Sequence, residues 1–292
     1  DVTLWSKPQD GIWDFTVKTA PVDGYAKWKL EVEEVKSKSE KVKSAELEIS
    51  LYDAEHKKVG DLHCSTSTSD YALDVKDVRP WSAEAPYLYT LVIRRGDDIR
   101  SCEVGFRDVR VDSVRFLVNG KAMKFRGVNR HETSPRNGRT LTAEEMIRDI
   151  VMMKRANIDT VRTAHYPDDP LWYRLCDRYG VYLVAEADVE AHGMGYKEEG
   201  LGDKPMWRRS IVERNERHVR AYRNHPSVIM WSLGNETGPG PNFVAARDAV
   251  RALDGTRPVH YERQPDDMDV DAAMYMPIDW LRDYKEKGKP FF

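Results

Sequence analysis

The 292-residue sequence holds only three cysteines, Cys64, Cys102 and Cys176. A small, odd and widely spaced set excludes a disulfide framework and a cysteine-built metal centre, leaving buried free thiols as the plain reading. No run of about 18 apolar residues occurs, so no membrane-spanning helix is predicted. Neither sign of charge is in excess: 46 Lys and Arg stand against 49 Asp and Glu, a net of −3. That balance offers no electrostatic footprint for nucleic acid. The chain opens at Asp1 with neither a methionine nor a signal-like segment, which says little about location if it begins partway through a larger protein; a cytoplasmic location is kept as the expectation.

What is present is an ordinary soluble composition, 40% hydrophobic and 33% charged, at a length that suggests about two domains. Eight Trp and fourteen Tyr suit the apolar faces of sugar rings as well as they suit cores. Two textures meet near Asp112. Before it the pattern has period two. Ala26, Trp28, Leu30 and Val32 alternate with charged residues, and Ala45, Leu47, Ile49 and Leu51 repeat the pattern. Further strands are predicted at 11–18, 57–64, 86–95 and 98–107. About seven short strands separated by turn residues fit an all-β immunoglobulin-like sandwich over residues 1–112.

A hairpin is predicted next, Phe116–Val118 turning at Asn119-Gly120 into Lys124–Arg126. From residue 113 to 292 the texture is α/β. Thr142-Ala-Glu-Glu145 is a capping box opening a helix with Met146, Ile147 and Ile150 on one face. Strands are predicted at 159–164, 181–187, 228–233, 258–262 and 271–276, with helices at 171–179, 205–224 and 242–253. Gly180 is placed to end the helix before it. Alternation at this spacing implies parallel βαβ units. Polar residues gather where these strands end: Asn129, Arg130 and His131; His165 and Tyr166; Glu186, Asp188, Glu190 and His192; Asn235 and Glu236. Chemistry collected after the C-terminal ends of parallel strands is the arrangement of a (β/α)8 barrel. No glycine-rich phosphate loop accompanies any strand, which sets aside a doubly wound nucleotide fold.

Four stretches carry a resemblance: Arg126-Gly-Val-Asn-Arg-His-Glu132, Ala164-His-Tyr-Pro167, Glu186-Ala-Asp-Val-Glu-Ala-His-Gly-Met194 and Trp231-Ser-Leu-Gly-Asn-Glu236. Together, in this order, they resemble the bacterial β-galactosidases of glycoside hydrolase family 2. Trp81–Tyr89 and Val104–Arg107 resemble the sandwich that precedes the barrel there. The resemblance implies a retaining glycosidase acting on terminal β-D-galactosides, with Glu236 as the acid/base. Glycoside hydrolysis needs such a carboxylic acid beside the leaving oxygen, later acting as a base. An isolated Glu after a strand is ordinarily a solvated loop residue; the motif around Glu236 argues otherwise.

By the same resemblance, Asn235 contacts the sugar 2-hydroxyl and Asn129 belongs to the substrate-binding set. His131 and His165 stabilise the transition state and bind hydroxyls, and Tyr275 hydrogen-bonds the nucleophile. Glu190, His192 and Glu236 form a Mg2+ site; one imidazole among carboxylates is compatible with a hard divalent ion. Thr133-Ser134-Pro135 departs from the family, which often carries two histidines before that proline. The nucleophile's segment is not found, and Glu262, which ends a predicted strand, has no such role in the family. The 180 or so residues after the sandwich fall short of the roughly 250 of a typical barrel. The sequence is therefore expected to be a sandwich plus the N-terminal part of a barrel, truncated before the nucleophile strand and inactive alone. An open strand edge would make it a homo-oligomer. The alternatives are a β-glucuronidase or β-mannosidase relative, or a non-catalytic carbohydrate-binding or assembly module.

Overall fold

Strand β1 (Asp14–Val22) opens the first of two units into which the chain divides; the computed structural model describes residues 4–6, 8, 11–35, 46–64, 70–195, 199–284 and 288–291. The first unit is Asp1–Trp81, Ala85–Arg107 and Asn224–Pro226; the second holds the rest. Ala45, Asp1–Thr3, Lys7 and Phe292, which fall in segments with sequence expectations, lie outside the described residues.

The first unit is a sandwich. After β1 come β2 (Lys27–Val35), β3 (Leu47–Tyr52), β4 (Lys58–Cys64), β5 (Asp70–Lys76), β6 (Tyr89–Arg95) and β7 (Asp98–Val104). One antiparallel sheet has the order β1-β2-β5 and the other β4-β3-β6-β7. Alternation drives the burial: Trp28, Leu30 and Val32 point inward from β2, Leu47, Ile49 and Leu51 from β3. Trp28 meets Phe106 edge-on at 5.9 Å. Strand β5 was not expected, although Tyr71 and Val75 are buried within it at even spacing. One ion pair is closed inside: Arg95 Nη1 and Nη2 lie 2.5 and 2.7 Å from the two oxygens of Glu34, a bidentate pairing that compensates for burial.

The second unit begins with a small antiparallel sheet, β8 (Val109–Asp112), β9 (Arg115–Val118) and β10 (Lys121–Ala122), in the order β10-β9-β8. The hairpin turns at Asn119-Gly120 as expected, both at positive φ. Its second arm is Lys121–Ala122, not Lys124–Arg126. A two-residue turn pairs Val118 directly with Lys121, so the arm starts at once.

A five-stranded parallel sheet follows: β11 (Gly127–Arg130), β12 (Thr160–Thr163), β13 (Tyr182–Glu186), β14 (Val228–Ser232) and β15 (Val259–His260), ordered as in the sequence. Between successive strands run α1 (Ala143–Arg155), α2 (Pro170–Tyr179), α3 (Arg208–Tyr222) and α4 (Pro241–Leu253). This is part of a (β/α) barrel. Every residue of β12, β13 and β14 is buried, as expected of parallel strands covered on both faces. The capping box at Thr142 and Glu145 is formed, and Gly180 takes φ 73 after α2. Residues 205–207, predicted as helix, are a separate 3-10 turn before α3.

The predicted strand at 271–276 is not formed. Asp271 makes a single bridge to Phe291 and Tyr275 takes φ 59, a left-handed conformation incompatible with a pleated strand. The short helix α5 (Ile278–Asp283) follows it. No helix of the described residues is long and apolar enough to cross a membrane.

Candidate functional site

The strand register builds a polar floor before any loop is considered. Asn129 on β11 is the lateral neighbour of Arg162 on β12, while Glu186, Ser232 and His260 on β13, β14 and β15 form one row. Arg162 joins these groups. Its Nε lies 2.7 Å from Glu186 Oε2, Nη1 donates to Asn129 Oδ1 at 3.2 Å and Nη2 to Asn235 Oδ1 at 2.8 Å. The Ser232 hydroxyl donates to Glu186 Oε2 at 2.7 Å. Having one hydrogen, it must accept from His260 Nδ1 at 3.1 Å, which fixes the His260 tautomer. Burial and the Arg162 charge push the His260 imidazole down to about 4, so it is neutral near pH 7. Burial alone would raise the Glu186 carboxyl; hydrogen bonds from His165 and Ser232 and the Arg162 charge override it and hold Glu186 below the usual range.

The rim stands on this floor. His165 Nδ1 is 2.7 Å from Glu186 Oε1, so the ionised carboxylate accepts the Nδ1–H hydrogen bond, which leaves Nε2 outside that bond. The peptide bond before His165 is cis. The His131 and His165 rings meet edge-on at 5.4 Å. Asn235 is buried, giving Oδ1 to Arg162 and donating from Nδ2 to Glu190 Oε2 at 2.6 Å. Glu236 is half-buried at φ 36, unusual for a residue with a side chain. Its Oε1 accepts from Arg263 Nη2 at 3.1 Å and its Oε2 from His192 Nδ1. The Glu236 N–H donates to Glu262 Oε1 at 3.0 Å. Burial raises the Glu262 carboxyl above its ordinary range, against the pull of Arg263.

Donor atoms of Glu190, His192 and Glu236 all lie within 4.8 Å of one another. The approach of their loops depends on Gly234, at φ 146, where a Cβ would sit 2.5 Å from Val189 O. Tyr275 is 93% exposed and lines a hollow of about 290 Å3 with Asn129, Arg162, His260 and Glu262. The eight residues singled out from the sequence thus fall at one end of the parallel sheet. Arg162, Ser232, His260, Glu262 and Arg263 were not assigned roles from sequence. A signal existed for two of them: Arg162 is a lone charge inside a four-residue strand and Ser232 ends an apolar run. The departing segment Thr133-Ser134-Pro135 is a tight loop in which Ser134 pairs with Gly138 and its hydroxyl donates to Glu145 Oε1 at 2.7 Å.

Residues 109–288 match the model of "Glycosyl hydrolases family 2, TIM barrel domain" and residues 11–107 that of "Glycosyl hydrolases family 2". Among solved structures, a β-D-glucuronidase of Dictyoglomus thermophilum is similar at 24% identity and TM-score 0.82, covering 96% of this chain and 53% of its own. A Ruminococcus gnavus β-glucuronidase, solved in complex with C6-substituted uronic isofagomine, is similar at 26% identity and TM-score 0.77, covering 89% and 46%. The chain thus spans about half the length of these proteins.

Proposed function

The chain belongs to glycosyl hydrolases family 2, and from that premise we propose that it carries the acid/base part of a retaining β-glycosidase. Glu236 gives a proton to the leaving oxygen and later takes one from water. The observation that supports this most is a single half-buried carboxyl at the rim, tied at its backbone by Glu262 and standing over a floor of mutually satisfied polar groups. Nε2 of His165, with Nδ1 committed to Glu186, meets substrate hydroxyls, and His131 stands beside it. Asn235 has one hydrogen-bonding position left at each end of its amide for the 2-hydroxyl. Asn129 and Tyr275 border the same hollow.

Retention requires a second carboxylate about 5–5.5 Å from the first. We infer that Glu262 is not this group, because it is already engaged by the Glu236 N–H and Arg263.

One imidazole and two carboxylates, with donor atoms this close, fit a hard divalent cation, and we assign Glu190, His192 and Glu236 to Mg2+. Such an ion supplies positive charge beside the reacting centre. Asn235 orients the Glu190 carboxylate for it.

Two substrates have support. The similar solved structures are β-glucuronidases, which favours a β-D-glucuronide. The four motifs and the Glu190–His192–Glu236 donor set favour a β-D-galactoside. Chromogenic β-galactoside, β-glucuronide and β-mannoside should be compared on this chain and on a protein continued past Phe292 through the next carboxylate-bearing strand. Turnover by the extended protein alone, abolished by Glu236→Gln, is the expected result, and the sugar turned over decides the substrate. Sugar binding without turnover in both would replace hydrolysis with a carbohydrate-binding role.

A further inference from the structure

The loop that carries Glu236 is irregular. Glu236 has φ 36, Gly238 φ 82 and Gly240 φ 153, so its backbone groups cannot be satisfied by a regular ladder and need partners elsewhere. Four consecutive residues after β15 supply them. Tyr261 Oη lies 3.3 Å from the Thr237 N–H and donates to Gly238 O at 2.9 Å. Glu262 Oε1 takes the Glu236 N–H at 3.0 Å. Arg263 Nη2 donates to Glu236 Oε1 at 3.1 Å, and Gln264 Oε1 takes the Gly240 N–H at 2.7 Å.

We propose that Tyr261–Gln264 is a cradle that sets the conformation of the Glu236 loop, and that Glu262 is the positioning residue through which it aims the Glu236 carboxyl. Tyr261 is fully buried and stacked on Phe243 of α4 at 3.7 Å, which makes it a rigid post. Glu262 is 7% exposed, a costly situation for a carboxylate that served only as a loop residue. Its Oε1 also lies 2.9 Å from Arg263 Nε. The Arg263 guanidinium therefore spans both glutamates, and Glu262 governs Glu236 twice, at the backbone N–H and through the cation on its side chain. Glutamine in its place keeps an acceptor for the N–H; alanine keeps nothing. The inference rests on the reading of Glu236 as the working carboxyl and metal ligand.

The test uses the full chain with two readouts: residue-resolved amide hydrogen exchange, and binding of Mn2+ followed by the free-ion signal in electron paramagnetic resonance. In Glu262→Ala the Glu236 amide is expected to exchange at least about tenfold faster, the scale of one lost charge-assisted hydrogen bond. Mn2+ dissociation is expected to rise about tenfold or more, as for other orienting partners of metal ligands. Glu262→Gln should restore most of both. Should Glu262→Ala fail to fold, Tyr261→Phe is the second variant, expected to loosen the Thr237 amide. Unchanged exchange at Glu236 in Glu262→Ala, or at Thr237 in Tyr261→Phe, overturns the cradle. Faster exchange with unchanged Mn2+ binding overturns the aiming role. If the unaltered chain binds no Mn2+, the metal reading falls, while the exchange contrast still decides the cradle.

Discussion

Arg162 and Glu186 are locked face to face inside the parallel sheet, Nε 2.7 Å from Oε2, with side chains 7% and 0% exposed. A charge pair this deep persists because every nitrogen of the guanidinium and both carboxylate oxygens have a partner: Arg162 also reaches Asn129 and Asn235, and Glu186 also binds His165 and Ser232. The pair links strands β11, β12, β13 and the loop after β14, so the orientation of the rim residues depends on it.

Removing one partner should be far more damaging than the net worth of the pair. Arg162→Met would leave Glu186 as an uncompensated buried charge, and a loss of about 3–5 kcal/mol is expected in urea unfolding. The pH dependence follows from the sign. Glu186 is held below its ordinary range in the folded state, so its contribution is fully present above the unfolded glutamate pKa. It is lost as pH falls through the folded value. The variant should lack that acid-side loss. A cost under about 1 kcal/mol, the scale of an exposed pair, would show that water reaches the pair.

The contrast between this floor and the rim explains what was legible in the sequence. Glu236, His192 and Asn235 lie in loops, where a polar cluster after an apolar strand is itself a signal. Arg162 and Ser232 sit within strands, and only the register of neighbouring strands shows that they meet. The cradle was hidden for the same reason: Glu236 and Glu262 are 26 positions apart and are joined by the order of β14 and β15. The sandwich was legible where alternation was strict, as in β2 and β3. The strand expected at 271–276 rested on apolar content alone, and the positive φ at Tyr275 breaks it.

A second pH effect of opposite sign is expected from Asp168. Its Oδ2 lies 2.6 Å from Arg130 Nη1, yet burial, joined by repulsion from Glu132 and Asp149 around the same guanidinium, pushes its carboxyl up to about 7. A carboxyl whose folded pKa is raised favours the fold while protonated. Its stabilisation is present at low pH and declines as pH rises from about 4 to about 7. The stability of the unaltered chain relative to Asp168→Asn should therefore fall across that window, read from urea midpoints at pH 5 and pH 8. A difference independent of pH would mean that the Arg130 charge prevails over burial.

The parallel sheet has β11 and β15 at its edges among the described residues. Val259 of β15 is already held by Asp269, whose Oδ2 takes its N–H at 2.8 Å and whose N–H donates to its carbonyl at 3.0 Å; β11 is the edge left to take another strand, and open edges recruit partners. We predict that the chain self-associates at micromolar concentration, with a mass above 33.7 kDa by light scattering. A clean monomer over a hundredfold range of dilution would oppose this.

Gly234 supplies the sharpest test of how the two carboxylate-bearing loops are brought together. At φ 146 it occupies backbone space that side-chain-bearing residues avoid, and an added Cβ would lie 2.5 Å from Val189 O and 2.8 Å from Val189 Cβ. The same carbonyl accepts the Asn235 N–H at 2.8 Å, so the contact cannot relax without breaking the bond that joins the loops after β13 and β14. Gly234→Ala should cost roughly 1–3 kcal/mol from backbone strain alone. It should also weaken Mn2+ binding, by moving Glu190 away from Glu236. Gly193 is the internal control, since nothing lies within 4 Å of a Cβ built there; Gly193→Ala should leave stability within about 0.5 kcal/mol. Equal behaviour of the two variants would mean that the loops reach their spacing without the close approach at Gly234, and the metal-binding geometry would then have to be set from the Glu262 side alone.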